Sequence, residues 1–245
     1  MPVQQLFLKI QATDTSDKSC FIVFLKMKTY VLLLVQFITC VTMAQTHNPS
    51  REIKFLALGD SYTIGESVAE DQRWPMQLTS ALKKKGISAA PPDIIATTGW
   101  RTDDLKRAIV AASPAKDYNL VSLLIGVNNQ YQGKTASSYA PEFEELLNMT
   151  IAFAGGDKSK VFVVSIPDYG YTPFGKEKQQ IISKAIDEFN AVNKSIAEKY
   201  GVKYFNITDI SRRGFEDPAL VAPDGLHPSG KMYEMWVDLM IDRLL

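Results

Sequence analysis

At residues 55–62 the chain reads Phe-Leu-Ala-Leu-Gly-Asp-Ser-Tyr, an apolar run that ends in a polar turn. A short apolar run bounded by turn residues is typical of a strand that is buried on both faces of a parallel sheet. Four similar runs follow along the chain. The pattern predicts five strands, at residues 54–58, 93–96, 120–125, 161–164 and 203–205.

Longer amphipathic stretches lie between these runs and predict helices, because their apolar residues recur with helical spacing. The predicted helices span residues 73–85, 102–112, 137–154, 177–200 and 229–244. Gly86 and Gly201 are expected to end two of them, since glycine readily adopts the left-handed conformation of a helix C-cap. Strict alternation of strands and helices predicts an α/β fold, a three-layer α/β/α sandwich with a five-stranded parallel sheet.

Polar clusters follow the strands. Gly59–Ser61 comes after the first strand, Thr97–Trp100 after the second and Gly126–Asn129 after the third, and the segment Asp224–Pro228 precedes the last helix. In a doubly wound sheet, ligands bind at the carboxyl ends of the strands, near the point where the strand order reverses. The clusters are therefore expected to meet on one rim of the sheet.

Ser61 and His227 are a candidate nucleophile and base. A serine hydroxyl is a weak nucleophile near neutral pH unless a neighbouring group takes its proton, and an imidazole is suited to that task. The chain contains two histidines, and the other one, His47, lies beside a predicted leader. Histidine-dependent chemistry in the mature domain is therefore expected to use His227.

The N-terminal region predicts a removable leader. Residues 27–44 read as a signal peptide, with a basic start, a short apolar stretch and the small residue Ala44 before the cut. Residues 1–26 are interpreted as an upstream extension outside the fold, and residues 45–245 as a single domain. Export to the periplasm or the extracellular space follows from this interpretation.

A membrane anchor is a second interpretation of the same leader. Cys40 follows a small residue near the end of the apolar stretch, which is a weak match to a lipid-attachment site, and cleavage after Ala44 is favoured over it. The apolar stretch is shorter than the roughly 20 residues that a transmembrane helix needs. No transmembrane segment is therefore predicted.

Composition argues against several classes of partner. The formal net charge is +0, so there is no electrostatic case for binding nucleic acid or an anionic membrane surface. Both cysteines, Cys20 and Cys40, lie outside the predicted mature chain, which leaves no disulfide framework and no thiolate metal site. We expect no metal and no organic cofactor, and the sequence leaves the oligomeric state open.

Four blocks of sequence occur in a characteristic order. They are Phe55–Tyr62, Thr98-Gly99-Trp100-Arg101-Thr102, Gly126-Val127-Asn128-Asn129 and Asp224-Gly225-Leu226-His227-Pro228. Together these blocks resemble those of the SGNH, or GDSL, hydrolase family of lipases and acylhydrolases, and the resemblance covers essentially the whole predicted mature domain. It implies a flavodoxin-like SGNH hydrolase fold.

The resemblance also implies roles for individual residues. Ser61 would attack an ester carbonyl, His227 would act as general base and then general acid, and Asp224 would orient the imidazole. The backbone N–H groups of Ser61 and Gly99 and the side-chain amide of Asn128 would bind the oxyanion. A separation of three residues allows one loop to present both Asp224 and His227, which suits this arrangement.

One position departs from the family pattern. Many members have aspartate where this chain has Asn129, a change that leaves the proton relay intact and affects substrate contacts instead. Asn129, Trp100 and Tyr131 are the candidate substrate-binding residues. Other aromatic residues that follow strand ends either line the substrate groove or pack in the core, and they are Tyr169, Tyr171 and Phe174.

The residues of the nucleophile block can also be explained by a purely structural role. Ser61 alone would be an ordinary helix N-cap, and Asp60 is expected to hydrogen-bond the turn. The function predicted from the blocks together is a serine esterase that cleaves acyl esters of a small molecule, lipid or glycan, with lysophospholipase-like substrates among them. The alternatives are a carbohydrate O-acetyl esterase of the same fold and a non-catalytic flavodoxin-like binding module.

Overall fold

The computed structural model describes residues 52–244, which form a parallel five-stranded sheet flanked by helices. The strands are β1 (Phe55–Gly59), β2 (Asp93–Ala96), β3 (Leu120–Leu124), β4 (Val161–Val164) and β5 (Lys203–Phe205). Their order in the sheet is β2-β1-β3-β4-β5, and every neighbouring pair is parallel. The predicted α/β sandwich is confirmed. The predicted leader, with Cys40 and His47, lies outside the described residues.

Five longer helices occupy the regions where helices were predicted, with ends that differ from the prediction by at most two residues. With three shorter ones, the helices are α1 (Ser61–Ile64), α2 (Trp74–Lys84), α3 (Thr102–Ala112), α4 (Val127–Tyr131), α5 (Ala136–Phe153), α6 (Gln179–Tyr200), α7 (Thr208–Ser211) and α8 (Gly230–Leu244). Gly201 caps α6 in the left-handed conformation, and Gly86, also left-handed, follows the end of α2, so both predicted helix ends are confirmed.

The helices form two layers on the sheet. Helices α2 and α8 pack together in one layer, and α5 packs against α3 and α6 in the other. On the α2 side, Trp74 packs against Phe55 with ring centroids 5.9 Å apart, and Phe55 stacks on Phe162 at 6.1 Å. In the other layer, the ring centroids of Tyr139 and Phe189 are 4.7 Å apart. All of these rings are almost completely buried, so apolar burial on both faces holds the sheet in place.

The turn after β1 is unusually close to the neighbouring strand. A Cβ at Gly59 would lie 2.1 Å from Thr63 Oγ1 and 2.5 Å from the Leu124 carbonyl oxygen at the end of β3. Only a residue without a side chain fits there. This close approach brings the start of α1 next to the end of β3.

None of the helices within residues 52–244 has the length and apolar character needed to cross a membrane.

Candidate active site

A cavity lies where the strand order reverses. β1 has β2 on one side and β3 on the other, and the chain enters α1 directly after β1 and α4 shortly after β3. At the carboxyl ends of these strands lies a cavity of about 190 Å³ that is open to solvent on one side. Five predicted site residues line it, and they are Ser61, Gly99, Asn128, Tyr131 and His227. A wider groove of about 820 Å³ between α2 and α8 contains neither Ser61 nor His227 in its lining.

Asp224 and His227 are bonded to each other in one loop. His227 Nδ1 lies 2.6 Å from Asp224 Oδ2, and Asp224 Oδ1 accepts the backbone N–H groups of Leu226 and His227 at 2.9 and 3.0 Å. The loop is closed by a backbone hydrogen bond, in which the Ala222 N–H donates to the His227 carbonyl oxygen at 2.7 Å. The carboxylate therefore fixes both the backbone of the loop and the orientation of the ring.

The Asp224 carboxyl is stabilised in its charged form. Burial acts to raise its pKa, but hydrogen bonds from Ser67, His227 and the two backbone N–H groups outweigh burial and hold the pKa well below the ordinary value for aspartate. A carboxylate that stays ionised next to Nδ1 favours the tautomer with the proton on Nδ1. That tautomer leaves Nε2 as the acceptor.

Ser61 is the first residue of α1 and 4% exposed. Its N–H has no acceptor inside the helix, as is general for the first turn. Helix α1 is capped by Asp60, whose side chain accepts the Tyr62 N–H at 3.1 Å. The N-cap explanation for Ser61 is therefore wrong, and the turn-bonding role expected for Asp60 is confirmed.

Within residues 52–244, the Ser61 hydroxyl makes no hydrogen bond to the His227 ring, although both residues line the cavity. Catalytic hydrogen bonds are often long before substrate binds.

The turn before Ser61 carries a buried carboxyl. Asp60 is completely buried, and its Oδ2 has no hydrogen-bond partner among the described residues. Burial raises the pKa of Asp60 to about 7, against a smaller lowering by backbone N–H groups of Tyr62 and of Asp60 itself. A neutral carboxylic acid directly before the candidate nucleophile is therefore the dominant form in acidic solution.

Two of the candidate oxyanion donors, Gly99 and Asn128, lie on the loop after β2 and on helix α4, which are hydrogen-bonded to each other. Gly99 has a φ of +85°, a conformation that favours glycine, and a Cβ there would meet nothing within 4 Å. Asn128 Nδ2 donates to the Trp100 carbonyl oxygen at 2.9 Å, which uses one of the two protons of the amide. The second proton of Asn128 is free to point into the cavity that Asn128 lines. Ser61, Gly99 and Asn128, the three residues predicted to donate, all line this cavity.

The sequence matches the model of the GDSL-like Lipase/Acylhydrolase family over residues 57–235. The chain belongs to this family. As a member of the GDSL-like lipases and acylhydrolases, it is an ester-bond hydrolase, which favours an enzyme over the binding-module alternative. No curated protein matches it significantly in sequence.

Solved structures share the fold at low sequence identity. A putative GDSL-like lipase from Parabacteroides merdae has a TM-score of 0.65 and 16% identity, with 80% of this chain and 97% of that chain covered. An acetylxylan esterase from Geobacillus stearothermophilus has a TM-score of 0.61 and 18% identity, covering 80% and 94%. A psychrotrophic esterase from Pseudoalteromonas sp. has a TM-score of 0.59 and 17% identity, covering 78% and 96%. The architecture of this GDSL-family chain is thus a recurrent one.

Asn129 does not reach the cavity of this GDSL-family chain. Its side chain is fully buried: Oδ1 accepts the Thr102 N–H at 3.1 Å, and Nδ2 donates to Thr102 Oγ1 at 2.7 Å and to Glu142 Oε2 at 3.3 Å. The expectation that Asn129 contacts substrate is therefore wrong. An amide fits here because it accepts from a backbone N–H and donates toward a carboxylate, which an aspartate would repel.

The candidate aromatic residues divide between the cavity and its surroundings. Tyr131, Tyr169 and Phe174 line the cavity, and their ring centroids are 6.2–6.3 Å apart. Tyr131 and Phe174 are more than half exposed. Trp100 is partly buried against the core and contributes its carbonyl, not its ring, to the site. Tyr171 packs against Phe215 and does not line the cavity. Three aromatic rings thus form one wall.

Helix α4 connects this wall to the loop after β2, which contains Gly99 and Arg101. Gln130 Oε1 accepts the Tyr169 hydroxyl at 3.0 Å, and Gln132, which ends the helix, accepts an Arg101 N–H at 2.9 Å. Four polar side chains of this segment therefore hydrogen-bond neighbouring elements, and they are Asn128, Asn129, Gln130 and Gln132. The sequence blocks did not indicate the roles of Gln130 and Gln132, because side-chain direction in so short a helix carries no periodic signal.

The segment after α1 holds two further contacts that the sequence did not signal. Ser67 Oγ donates to Asp224 Oδ2 at 2.6 Å, and the Thr98 hydroxyl donates to the Glu66 carboxylate. Ser67 has a φ of +65°, in the left-handed region. No group of three or more His, Cys, Asp or Glu side chains in the described part of the chain is arranged to hold a metal ion.

Proposed function

We propose that this GDSL-family chain hydrolyses carboxylic acyl esters through a covalent acyl-enzyme, with Ser61 as nucleophile and His227 and Asp224 completing a triad. The observation that carries the proposal is that Ser61 and the Asp224-bonded ring of His227 line one small cavity at the switch point of the sheet. A nucleophile, a base and a group that orients the base are the three parts that acyl transfer by serine needs.

In the proposed reaction, the Ser61 oxygen forms a bond to the ester carbonyl carbon while His227 Nε2 takes the hydroxyl proton. The tetrahedral intermediate collapses, the bond to the alcohol oxygen breaks, and the alcohol leaves with the proton that His227 returns. Water then attacks the acyl-enzyme and gives a proton to His227, which passes it to Ser61 as the carboxylic acid departs. Asp224 stays ionised and stabilises the imidazolium that forms in both steps.

Three donors are assigned to the developing oxyanion: the N–H of Ser61, the N–H of Gly99 and the free amide proton of Asn128. The bond from Asn128 to the Trp100 carbonyl supports this assignment, because it fixes the amide before the substrate arrives. Donors that are oriented in advance cost no reorganisation when the charge develops, which is why such sites contribute strongly to rate.

The cavity supports a short, uncharged acyl group. Its volume of about 190 Å³ is below the roughly 300–1,000 Å³ of sites for drug-sized ligands. Among the described residues that line the cavity there is no Asp, Glu, Lys or Arg, and one side of it is the aromatic wall of Tyr131, Tyr169 and Phe174. We assign the acyl group to the cavity and the alcohol portion of the ester to the exposed rings of Tyr131 and Phe174 at its mouth.

A carbohydrate O-acetyl esterase is the second candidate function. An acetyl group fits the small cavity, the exposed aromatic rings offer flat apolar faces for a sugar ring, and one of the similar structures is an acetylxylan esterase. A lysophospholipase-like activity, by contrast, requires room for a long acyl chain. Turnover of acetylated xylooligosaccharides should be compared with turnover of a lysophospholipid on the same purified protein.

The decisive experiment combines a variant with a covalent probe. We expect Ser61→Ala to abolish hydrolysis of p-nitrophenyl acetate, with Ser113→Ala as a control at an exposed serine of the α3 C-cap that should keep full activity. An alkylphosphonate should label the wild type at Ser61, as found by mass spectrometry of peptides, and should not label Ser61→Ala. A similar structure is an esterase inhibited by monoethylphosphonate. A folded Ser61→Ala variant that keeps most of its activity would remove the proposal.

Export is a separate part of the proposal. We assign residues 27–44 to a signal peptide that is cleaved after Ala44, on the strength of their sequence pattern. N-terminal sequencing of the secreted protein should find Gln45 first. A lipid-modified N-terminus at Cys40 would favour the anchor, and a mature chain that begins before Met27 would contradict the assignment.

A further inference from the structure

We propose that Ser67 is a positioning residue of the active site, whose hydroxyl holds the Asp224 carboxylate in place for His227. This inference rests on the proposed function, because it takes Ser61, His227 and Asp224 as the catalytic triad. It concerns a residue that lies outside the four sequence blocks that resemble the family.

The first argument is the hydrogen bonding of Asp224. Oδ2 is shared by the Ser67 hydroxyl and His227 Nδ1, both at 2.6 Å, whereas Oδ1 receives backbone N–H groups from its own loop. Among the residues that the structure describes, Ser67 is the one group from another part of the chain that bonds this carboxylate. The side chain of Asp224 is 29% exposed, so without Ser67 water would compete for Oδ2.

The second argument is the backbone of Ser67. A φ of +65° is uncommon for a residue with a side chain, and such conformations persist when the surrounding structure requires them. The other described residue of this kind that is not glycine, Ser113, is a helix C-cap, where the left-handed conformation is ordinary. Ser67 is not a helix cap, because Gly65 already ends α1. Ser67 is instead the third residue of a turn in which the Val68 N–H donates to the Gly65 carbonyl oxygen at 3.4 Å, and in this turn its hydroxyl reaches Asp224.

The third argument is the connection of this segment to the nucleophile. The N–H groups of Gly65 and Glu66 both donate to the Ser61 carbonyl oxygen at 3.0 Å. The residue that bonds Asp224, Ser67, directly follows Glu66 in the chain. Segment 65–67 therefore hydrogen-bonds the backbone of Ser61 at one end and the Asp224 carboxylate at the other. It also reaches the oxyanion loop, through the bond from Thr98 to Glu66.

Ser67 should affect both the geometry and the basicity of the triad. By donating to Oδ2 it takes up part of the negative charge that would otherwise act on the imidazolium. Removing the hydroxyl should therefore lower kcat by loosening Asp224, and should move the acid limb of the kcat/KM profile to higher pH. A residue with a purely structural role would change stability and leave the pH profile unchanged.

The test uses three substitutions at position 67 and one control. Ser67→Ala removes the hydroxyl and keeps the strained backbone, whereas Ser67→Gly removes the hydroxyl and relieves the strain. We expect both to lower kcat on p-nitrophenyl acetate by about 5- to 10-fold, the rate equivalent of one ordinary intramolecular hydrogen bond, with little change in KM. Ser67→Thr should restore most of kcat and the wild-type pH profile even if its melting temperature falls. Ser113→Ala should match the wild type.

A double-mutant cycle identifies the route of the effect. In an Asp224→Asn background, Ser67→Ala should cause no further loss of kcat, since its partner is already changed. The inference is overturned if Ser67→Ala and Ser67→Gly stay within twofold of the wild type with the same pH profile, or if their losses persist undiminished beside Asp224→Asn. Failure of the proposed function looks different: in that case Ser61→Ala remains active, whatever position 67 does.

Discussion

Asp60→Asn should remove a large pH dependence of stability. Burial raises the pKa of Asp60 from 3.8 to about 7, so the folded protein binds a proton that the unfolded chain has lost in the pH range between these values. Stability contributed by this proton is fully present below the unfolded pKa and is lost as the pH rises through the folded pKa. In that window the free energy of unfolding should fall by about 1.4 kcal/mol per pH unit, or about 4 kcal/mol in all.

Asparagine keeps the shape of the side chain and the oxygen that caps α1 through the Tyr62 N–H, but it does not titrate. Urea denaturation of both proteins at several values between pH 4 and pH 8 isolates the contribution of Asp60 as the difference between the two curves. The variant should gain on the wild type as the pH rises and reach a constant advantage above pH 7. Ser61→Ala alters the same turn without removing the carboxyl and should keep the wild-type slope. Parallel curves for wild type and Asp60→Asn would refute the reasoning.

Three further substitutions test other parts of the site. Asn129→Asp should destabilise the fold by about 2–3 kcal/mol in urea denaturation, because it places a carboxylate beside Glu142, and adding Glu142→Gln should recover most of the loss; an unchanged midpoint for the single variant would contradict this. Asn128→Ala should lower kcat on a short ester by about 10²–10³ with a much smaller effect on KM, whereas a loss below tenfold would argue against its oxyanion role. Gly59→Ala should cost about 3 kcal/mol or more, since its Cβ would overlap Thr63 and the β3 backbone, and near-normal stability would show that the turn can move.

The apolar pattern was sufficient to predict the sheet and the long helices. Each strand is a buried run such as Val161–Val164, and each long helix has an apolar face of several turns, so hydrophobic burial alone specifies their position. Helices α1, α4 and α7 were not predicted, because four or five residues do not complete a periodic pattern and such helices depend on tertiary contacts.

The candidate site was predictable at the level of strand ends and less so at the level of side chains. Polar clusters are expected to meet at the carboxyl ends of parallel strands, and Ser61, Asn128 and His227 do line one cavity there. Asn129 differs from Asn128 by one residue on a helix, a rotation of about 100°, which turns its amide toward the core. Ser67 carries no signal in sequence at all, because its contact requires a left-handed turn whose direction only the folded chain defines.

Helix α4 places a constraint on any change of substrate preference. The Tyr169 hydroxyl in the aromatic wall donates to Gln130, two positions from Asn128, so the proposed substrate wall and the proposed oxyanion donor depend on the same five-residue helix. Enlarging the wall at Tyr169 to admit bulkier esters would free Gln130 and loosen the helix that carries the proposed oxyanion donor, Asn128. Directed evolution toward bulkier esters should therefore advance through Phe174 before it alters Tyr169, because among the described residues Phe174 contacts this helix through the Tyr131 ring and not through a hydrogen bond.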